Sequence, residues 1–196
     1  MFQNLFLSHE DTERTVNSGQ MDFICFTGSV PAGQRIGQTA AGTFAGVALE
    51  LGGKDPAYVV EDANFDDAVE NLVDGAFSNS GQSCCGIERI YVYKTLFDTF
   101  VEAYVERVKQ YSLTYPLQPG TILGPAVKTS AADWVRKQVS EAVSEGASAW
   151  IDPALFPAAA ENTTYLASQV LTHVNHNMSM MTGELWAGGW HHASDK

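Results

Sequence analysis

The chain has 196 residues, 45% of them hydrophobic and 17% charged, with a formal net charge of −12. That is enough apolar material for a substantial core and excludes a disordered chain, while the acidic excess repels phosphate backbones and excludes nucleic acid as a partner. Three cysteines, two of them adjacent, make no disulfide framework. With no apolar run of membrane-span length and nothing like a signal peptide behind Met1, a cytoplasmic protein without a membrane partner is expected.

Ser8, with Asp11 three residues on, predicts the capped start of a short helix that Gly19 closes. Residues 21–26 (MDFICF) have the length and composition of a strand, broken by Thr27-Gly28-Ser29. A helix is expected over residues 31–41, with Pro31 tolerated in its first turn. Residues 45–51 (AGVALEL) predict a second, buried strand stopped by Gly52-Gly53, and residues 57–60 a third. Asn64, followed by Asp67, predicts a cap for a helix whose apolar face is Phe65, Ala68, Val69, Leu72, Val73, Ala76 and Phe77. A strand over 88–93 precedes the clearest helix, with Leu96, Phe97, Phe100, Val101, Tyr104, Val105 and Val108 on one face. After the Pro- and Gly-rich loop 116–125, Ser130 with Asp133 predicts the cap of a further helix. That helix carries Trp134, Val135, Val139, Ala142 and Val143 and ends at Gly146; residues 165–174 read as extended.

Strands alternating with helices predict an α/β fold with a largely parallel sheet, and the composition shift at Gly52-Gly53 marks a domain boundary. The tail from Gly188 has no periodicity. Its adjacent His191 and His192 lack partners at ligand spacing, so an incidental tail and no metal site are expected.

Three stretches carry possible chemistry. Asn79-Ser80-Gly81-Gln82-Ser83-Cys84-Cys85 joins a predicted helix to a predicted strand, where a loop gives a nucleophile access and rigid neighbours fix it. A free thiol needs activation, because its pKa is about 8.5; the alternative is a pair of small apolar residues at a helix end. Glu50, in Glu50-Leu51-Gly52-Gly53-Lys54, ends a strand that reads as buried, and partial desolvation there would let it act as a base. Alternatively it pairs with Lys54 or faces solvent. Phe26-Thr27-Gly28-Ser29 passes from strand to helix, where backbone amides hold a phosphate or a serine simply caps the helix.

In this order the three stretches resemble the signatures of the NAD(P)-dependent aldehyde dehydrogenases. Leu123-Gly124-Pro125 and the run 165–181 leading to Glu184 agree. The resemblance implies a Rossmann-like cofactor-domain remnant over 1–50, an incomplete catalytic domain over 51–187 and a non-family tail over 188–196. It makes Cys84 the nucleophile and Glu50 the general base, and it leaves Cys85 without a catalytic role. Gly28 and Ser29 fall on the pyrophosphate turn, Gly33 on the helix after it, and Leu51 and Gly52 near the nicotinamide. Glu184 matches the glutamate that holds the nicotinamide ribose, and Trp186 stands at a family phenylalanine. The implied cofactor is NAD or NADP and the implied substrate a small-molecule aldehyde oxidised to an acid. The family is homo-oligomeric, but its oligomerisation segments, the earlier part of its cofactor domain and its oxyanion-binding asparagine are missing here. Gly183 replaces the first of two family glutamates, and Ala187-Gly188 departs from the Phe-Gly-Pro pattern. A fragment of a subunit, from a truncated or frame-shifted reading frame, is therefore expected.

Two rival readings remain at this stage. One is a non-catalytic fragment that only binds a partner chain. The other is a thiol hydrolase in which Gln82 supplies an oxyanion donor and His9, His173 or His176 pairs with the thiol.

Overall fold

The computed structural model describes residues 2–181 and 190–195. It divides into two compact units, Met1–Gly52 and Gly53–Lys196.

In the smaller unit, α1 (His9–Asn17) starts at Ser8, whose hydroxyl accepts from the Asp11 amide, and Gly19 follows its end with φ 68°. β1 (Phe23–Gly28) leads through Ser29 into α2 (Val30–Ala40) and then β2 (Gly46–Leu51). The two strands pair in parallel, with Phe23 opposite Gly46 and Gly28 opposite Leu51. Val16, Ile24, Ile36 and Ala40 form a small core. The expectation of a buried β2 fails: Val47 and Leu49 are exposed, as is Glu50. An apolar run fixes that a strand forms, but its burial needs layers on both faces, and α2 supplies packing on one.

In the larger unit, β3 (Asp55–Val59), β4 (Ile87–Val92), β5 (Ser148–Ala149), β6 (Gln169–Thr172) and β7 (Trp190–Asp195) form a sheet of order β3-β4-β7-β6-β5. All its pairings are parallel except β5 with β6, as the alternation of strands and helices predicts. The strand over Trp190–Asp195, paired between β4 and β6, has no signal in the sequence pattern.

α3 (Phe65–Phe77) starts at Asn64, whose side chain accepts from the Asp67 amide. It packs against α4 (Phe97–Lys109) through the faces read from periodicity: Phe65 meets Phe100 edge-on at 6.2 Å, and Phe77 lies 6.4 Å from Tyr104. With β4 they enclose the main core, in which Val73, Ile90, Val92 and Val108 are almost wholly buried. Each large apolar side chain hidden there stabilises the fold by roughly 1.5–3 kcal/mol.

α5 (Thr129–Ser144) departs from its predicted cap. Lys128 precedes it in extended backbone without a side-chain bond, and Ser130 sits inside the first turn. Its buried face is Ala132, Val135, Gln138 and Ala142. Trp134 and Val143 are exposed, and the Trp134 ring carries the Lys137 ammonium over its face at 5.7 Å. The cation and the ring face attract each other at the surface, so the indole needs no core position.

Candidate active site

The loop that carries the adjacent cysteines is fixed at both ends. At its start Phe77 is 1% exposed and packs against Tyr104 and Tyr111, so the last residue of α3 is anchored in the core and does not line a pocket. A short turn, Ser78–Gly81, follows. In it Asn79, Ser80 and Gly81 have φ of 52°, 57° and 73°, three successive left-handed residues. Glycine adopts that conformation freely; an L side chain pays roughly 1–2 kcal/mol. Such strain persists only where surrounding bonds over-determine it.

Those bonds come from a distant segment. The Ser80 hydroxyl donates to the Gly124 carbonyl at 2.9 Å. The Gln82 side-chain nitrogen donates to the carbonyls of Asn79 (3.1 Å) and Pro125 (3.2 Å), and its oxygen accepts from the Val127 amide at 2.9 Å. The Asn79 side chain donates back to the Gln82 carbonyl at 3.0 Å. The loop then closes as a tight turn in which the Gly86 amide donates to the Ser83 carbonyl at 3.2 Å. Cys84 and Cys85 occupy its two central positions, and both are exposed free thiols. Their exposure rules out the reading of two small residues packed into a helix end. The Cys85 amide donates to the Ser83 hydroxyl at 3.4 Å, whereas the Cys84 amide donates to no group among the described residues.

Beyond the turn, β4 contains a bulge. Asp55 pairs with Ile87 and Pro56 with Arg89, so Glu88 has no partner in the register. The extra residue re-aims its neighbours. The Glu88 carboxylate sits 2.5 Å from the Lys54 ammonium, with side chains only 8% and 12% exposed. The Arg89 guanidinium donates through Nε (2.9 Å) and Nη2 to the Lys54 carbonyl. This pins the segment at Gly53, where a β-carbon would come within 2.8 Å of the Asp55 carboxylate and 3.9 Å of the Cys84 carbonyl. The Glu50–Lys54 pairing considered from sequence is not the one formed; Lys54 pairs with Glu88.

In the smaller unit, Gly28 and Ser29 form the turn from β1 into α2. The Ser29 hydroxyl accepts from the Ala32 amide at 3.4 Å, an N-cap, and Pro31 lies in the first turn. Glu50 stands opposite Thr27 and Leu51 opposite Gly28, so the carboxyl ends of both parallel strands bring these residues together. That is the end at which α/β sheets place ligands. Gly33 has a packing reason to be glycine, because a β-carbon there would lie 2.5 Å from the Leu51 side chain. Glu50 itself is exposed, so the desolvation expected of a buried strand end is absent. Between α1 and α2 a hollow of about 290 Å³ has walls of Leu7, Phe26, Ala32 and Ile36, closed by His9, Thr12 and the Glu13–Arg35 pair. Both guanidinium contacts of that pair are short, 2.7 and 2.8 Å.

Glu184 and Trp186 lie outside the described residues, as do the side chains of His191 and His192. Among the described residues no cluster of three or more His, Cys, Asp or Glu could hold a metal, and no helix is long and apolar enough to cross a membrane. A hollow of about 730 Å³ is an open groove between 113–118 and 157–165 that neither cysteine lines. The thiol-hydrolase reading loses its support. The Gln82 amide is committed to backbone carbonyls, and His173 bonds the hydroxyls of Ser148 and Thr172 rather than a thiol. The bridging roles of Ser80, Gln82 and Arg89 had no signal in the sequence, since their partners lie 35 to 45 residues away.

Residues 6–187 match the sequence profile of the aldehyde dehydrogenase family. Human 2-aminomuconic semialdehyde dehydrogenase is 32% identical over 178 residues, 89% of this chain and 37% of that protein. The NADP(+) succinate-semialdehyde dehydrogenase of Mycobacterium avium is 37% identical over 146 residues, 74% of this chain and 31% of that protein. Among solved structures, betaine aldehyde dehydrogenase from Staphylococcus aureus in complex with NAD+ superposes with a TM-score of 0.85 at 26% identity, covering 94% of this chain and 37% of that one. The chain thus spans about a third of the length of the curated relatives it matches. On a profile match that takes in both the thiol loop and the glycine-serine turn, this chain belongs to the aldehyde dehydrogenase family.

Proposed function

We propose that the chain carries the nucleophile and the cofactor turn of an NAD(P)-dependent oxidation of an aldehyde to a carboxylic acid. The observation that carries this reading is Cys84, an exposed thiol at the head of a turn whose conformation is enforced from both sides. The residues present fit the cofactor. The Gly28–Ser29 turn offers helix-start amides to a pyrophosphate, and the adjoining hollow of about 290 Å³ has apolar walls suited to a flat ring system. Gly28 and Ser29 would hold the phosphates, while Leu51 and Gly52 border the nicotinamide; Gly33 keeps α2 close to β2. By family position alone, Glu184 is assigned to the nicotinamide ribose and Trp186 to the cofactor site at a family phenylalanine. NAD(P)+, when bound, supplies the acceptor for a hydride.

The residues of the chain do the rest. The Cys84 sulfur forms a bond to the carbonyl carbon, and the carbonyl electron pair moves to oxygen. The unengaged Cys84 amide is a donor for that oxyanion. As the carbonyl reforms, the C–H bond breaks with both electrons leaving as hydride, and a thioester remains on Cys84. Glu50 takes a proton from water, which attacks the thioester; the C–S bond breaks and the thiolate returns.

The test uses the full chain with NAD and NADP and a panel of succinic semialdehyde, betaine aldehyde and a longer aliphatic aldehyde. NAD(P)H forms with the unaltered chain and not with Cys84→Ser, while Glu50→Gln accumulates an acyl group on Cys84 visible by intact-mass spectrometry. Turnover that survives Cys84→Ser, or no turnover by the unaltered chain with any pair, refutes the proposal.

A further inference from the structure

The side-chain amide of Gln82 is spent on holding two segments together: both nitrogen-bound hydrogens go to carbonyls, of Asn79 and Pro125, and the oxygen takes the Val127 amide. Ser80 adds a bond from its hydroxyl to Gly124 on the same segment. The residues locked in this way are the left-handed ones, Asn79 and Ser80, which would otherwise relax to the right-handed region that L residues prefer. Their dihedral angles set the direction in which the chain enters the Ser83–Gly86 turn, and so the direction in which Cys84 projects.

We infer that Gln82 is a positioning residue, a strap that holds the thiol loop against residues 124–127 and aims Cys84. The strap is a property of the loop; its consequence for catalysis rests on the role proposed for Cys84. Gln82 acts through the loop and touches no reacting atom. The segment at 124–127 is thereby part of the site, although it carries no group that takes part in the chemistry.

Hydrogen exchange on the full chain tests this with two variants. Gln82→Met keeps the length and loses all three bonds. Gln82→Glu keeps the acceptor for Val127 but turns a carboxylate towards two carbonyl oxygens. At roughly fivefold per bond, Gln82→Glu lowers protection of the 79–86 amides about 25-fold and Gln82→Met about 125-fold. Protection in α3 and α4 stays within twofold. On acidification Gln82→Glu regains a donor as its carboxyl takes up a proton, and protection at 79–86 recovers; Gln82→Met shows no recovery. Should Gln82→Met not fold, Ser80→Ala removes one bond and lowers protection about fivefold at the same amides. Unchanged exchange at 79–86, or a loss shared equally by α3 and α4, overturns the strap. In turnover, Gln82→Met lowers kcat with KM for NAD(P) unchanged, and an unchanged kcat overturns the positioning role. Failure of the proposed function shows separately, as absence of turnover in the unaltered chain while the exchange pattern holds.

Discussion

The buried ion pair between Lys54 and Glu88 makes a quantitative prediction. Glu88 occupies a position on β4 whose next same-face residues are Ile90 and Val92, both almost fully buried. A carboxylate there is tolerated because the Lys54 ammonium lies 2.5 Å away, with both side chains nearly removed from water. Removing one partner takes this contact from the buried charge left behind, a loss that costs about 3–5 kcal/mol where a buried pair is broken. Replacing both with apolar residues of similar size removes the desolvation penalty along with the attraction, and the net change is close to zero. Glu88→Leu and Lys54→Met are therefore each expected to destabilise the larger unit by about 3 kcal/mol or more, and the double variant by less than about 1 kcal/mol. All four tryptophans, at 134, 150, 186 and 190, belong to that unit, so their fluorescence reports its unfolding without a signal from the smaller one. With a urea dependence of about 2 kcal/mol per molar, each single variant moves the midpoint down by roughly 1.5 M. The reasoning is refuted if each single variant loses under about 1 kcal/mol, or if the double variant loses the sum of the two. The first outcome would mean that the charge left behind is still compensated, by water or by its other contacts. The second would mean that the two side chains stabilise the unit independently.

Two predictions concern pH. Tyr104 is fully buried with its hydroxyl donating to the Leu72 carbonyl at 3.2 Å, and burial, with a smaller contribution from Tyr111, pushes its pKa well above 10. The unfolded chain releases that proton near pH 10 and the folded chain does not. This share of stability is therefore present below about pH 10 and is lost as pH rises beyond it. Urea midpoints of Tyr104→Phe should fall less steeply above about pH 10 than those of the unaltered chain, and equal slopes would contradict this. In the smaller unit, the hydrogen bond and charge of Arg35 hold the Glu13 carboxyl below 4.5, so its contribution is present above about pH 4.5 and is lost as pH falls through the lowered value. Protection of the α1 amides, taken relative to their intrinsic exchange rate at each pH, should fall on acidification in the unaltered chain and not in Glu13→Gln; parallel acid profiles would show that the pair holds nothing.

What the sequence made legible is what local chemistry decides. The Asn64 and Ser8 caps and the Phe65–Phe77 and Phe97–Lys109 faces are set by side chains within a few residues of the bonds they make. The cysteine loop was legible for the same reason, since it lies where one strong pattern stops and another begins. Burial was less legible: residues 45–51 form the predicted strand, yet Val47 and Leu49 are exposed, because layering is a property of the whole unit. At Ser130 a good capping residue lost to Lys128. The supports of the site were the least legible. Nothing in Gln82 announces Pro125 and Val127 as its partners, and an alternating Ile-Glu-Arg-Ile-Tyr-Val strand reads Glu88 as a misfit until the bulge and Lys54 are seen.

Those supports also divide the chemistry along the chain. Every bond that fixes the thiol loop originates in Gly53–Lys196: the end of α3, the strap from Gln82 and Ser80 to residues 124–127, and the clamp of Arg89 on the Lys54 carbonyl beside the cysteine turn. The Gly28–Ser29 turn proposed for the cofactor, its serine cap, the hollow between α1 and α2, and Glu50 belong to Met1–Gly52. On the proposed function, presentation of the nucleophile is therefore a property of one unit, whereas the steps assigned to the Gly28–Ser29 turn and to Glu50 draw on the other. On that proposal, a substitution that unlocks Asn79 and Ser80 is expected to weaken attack on the carbonyl without loosening the Ser29 cap, and one that removes the cap to weaken cofactor binding without turning Cys84. The two unlike failures follow from where the hydrogen bonds begin and end, because a strained loop keeps its shape only as long as its own partners hold it.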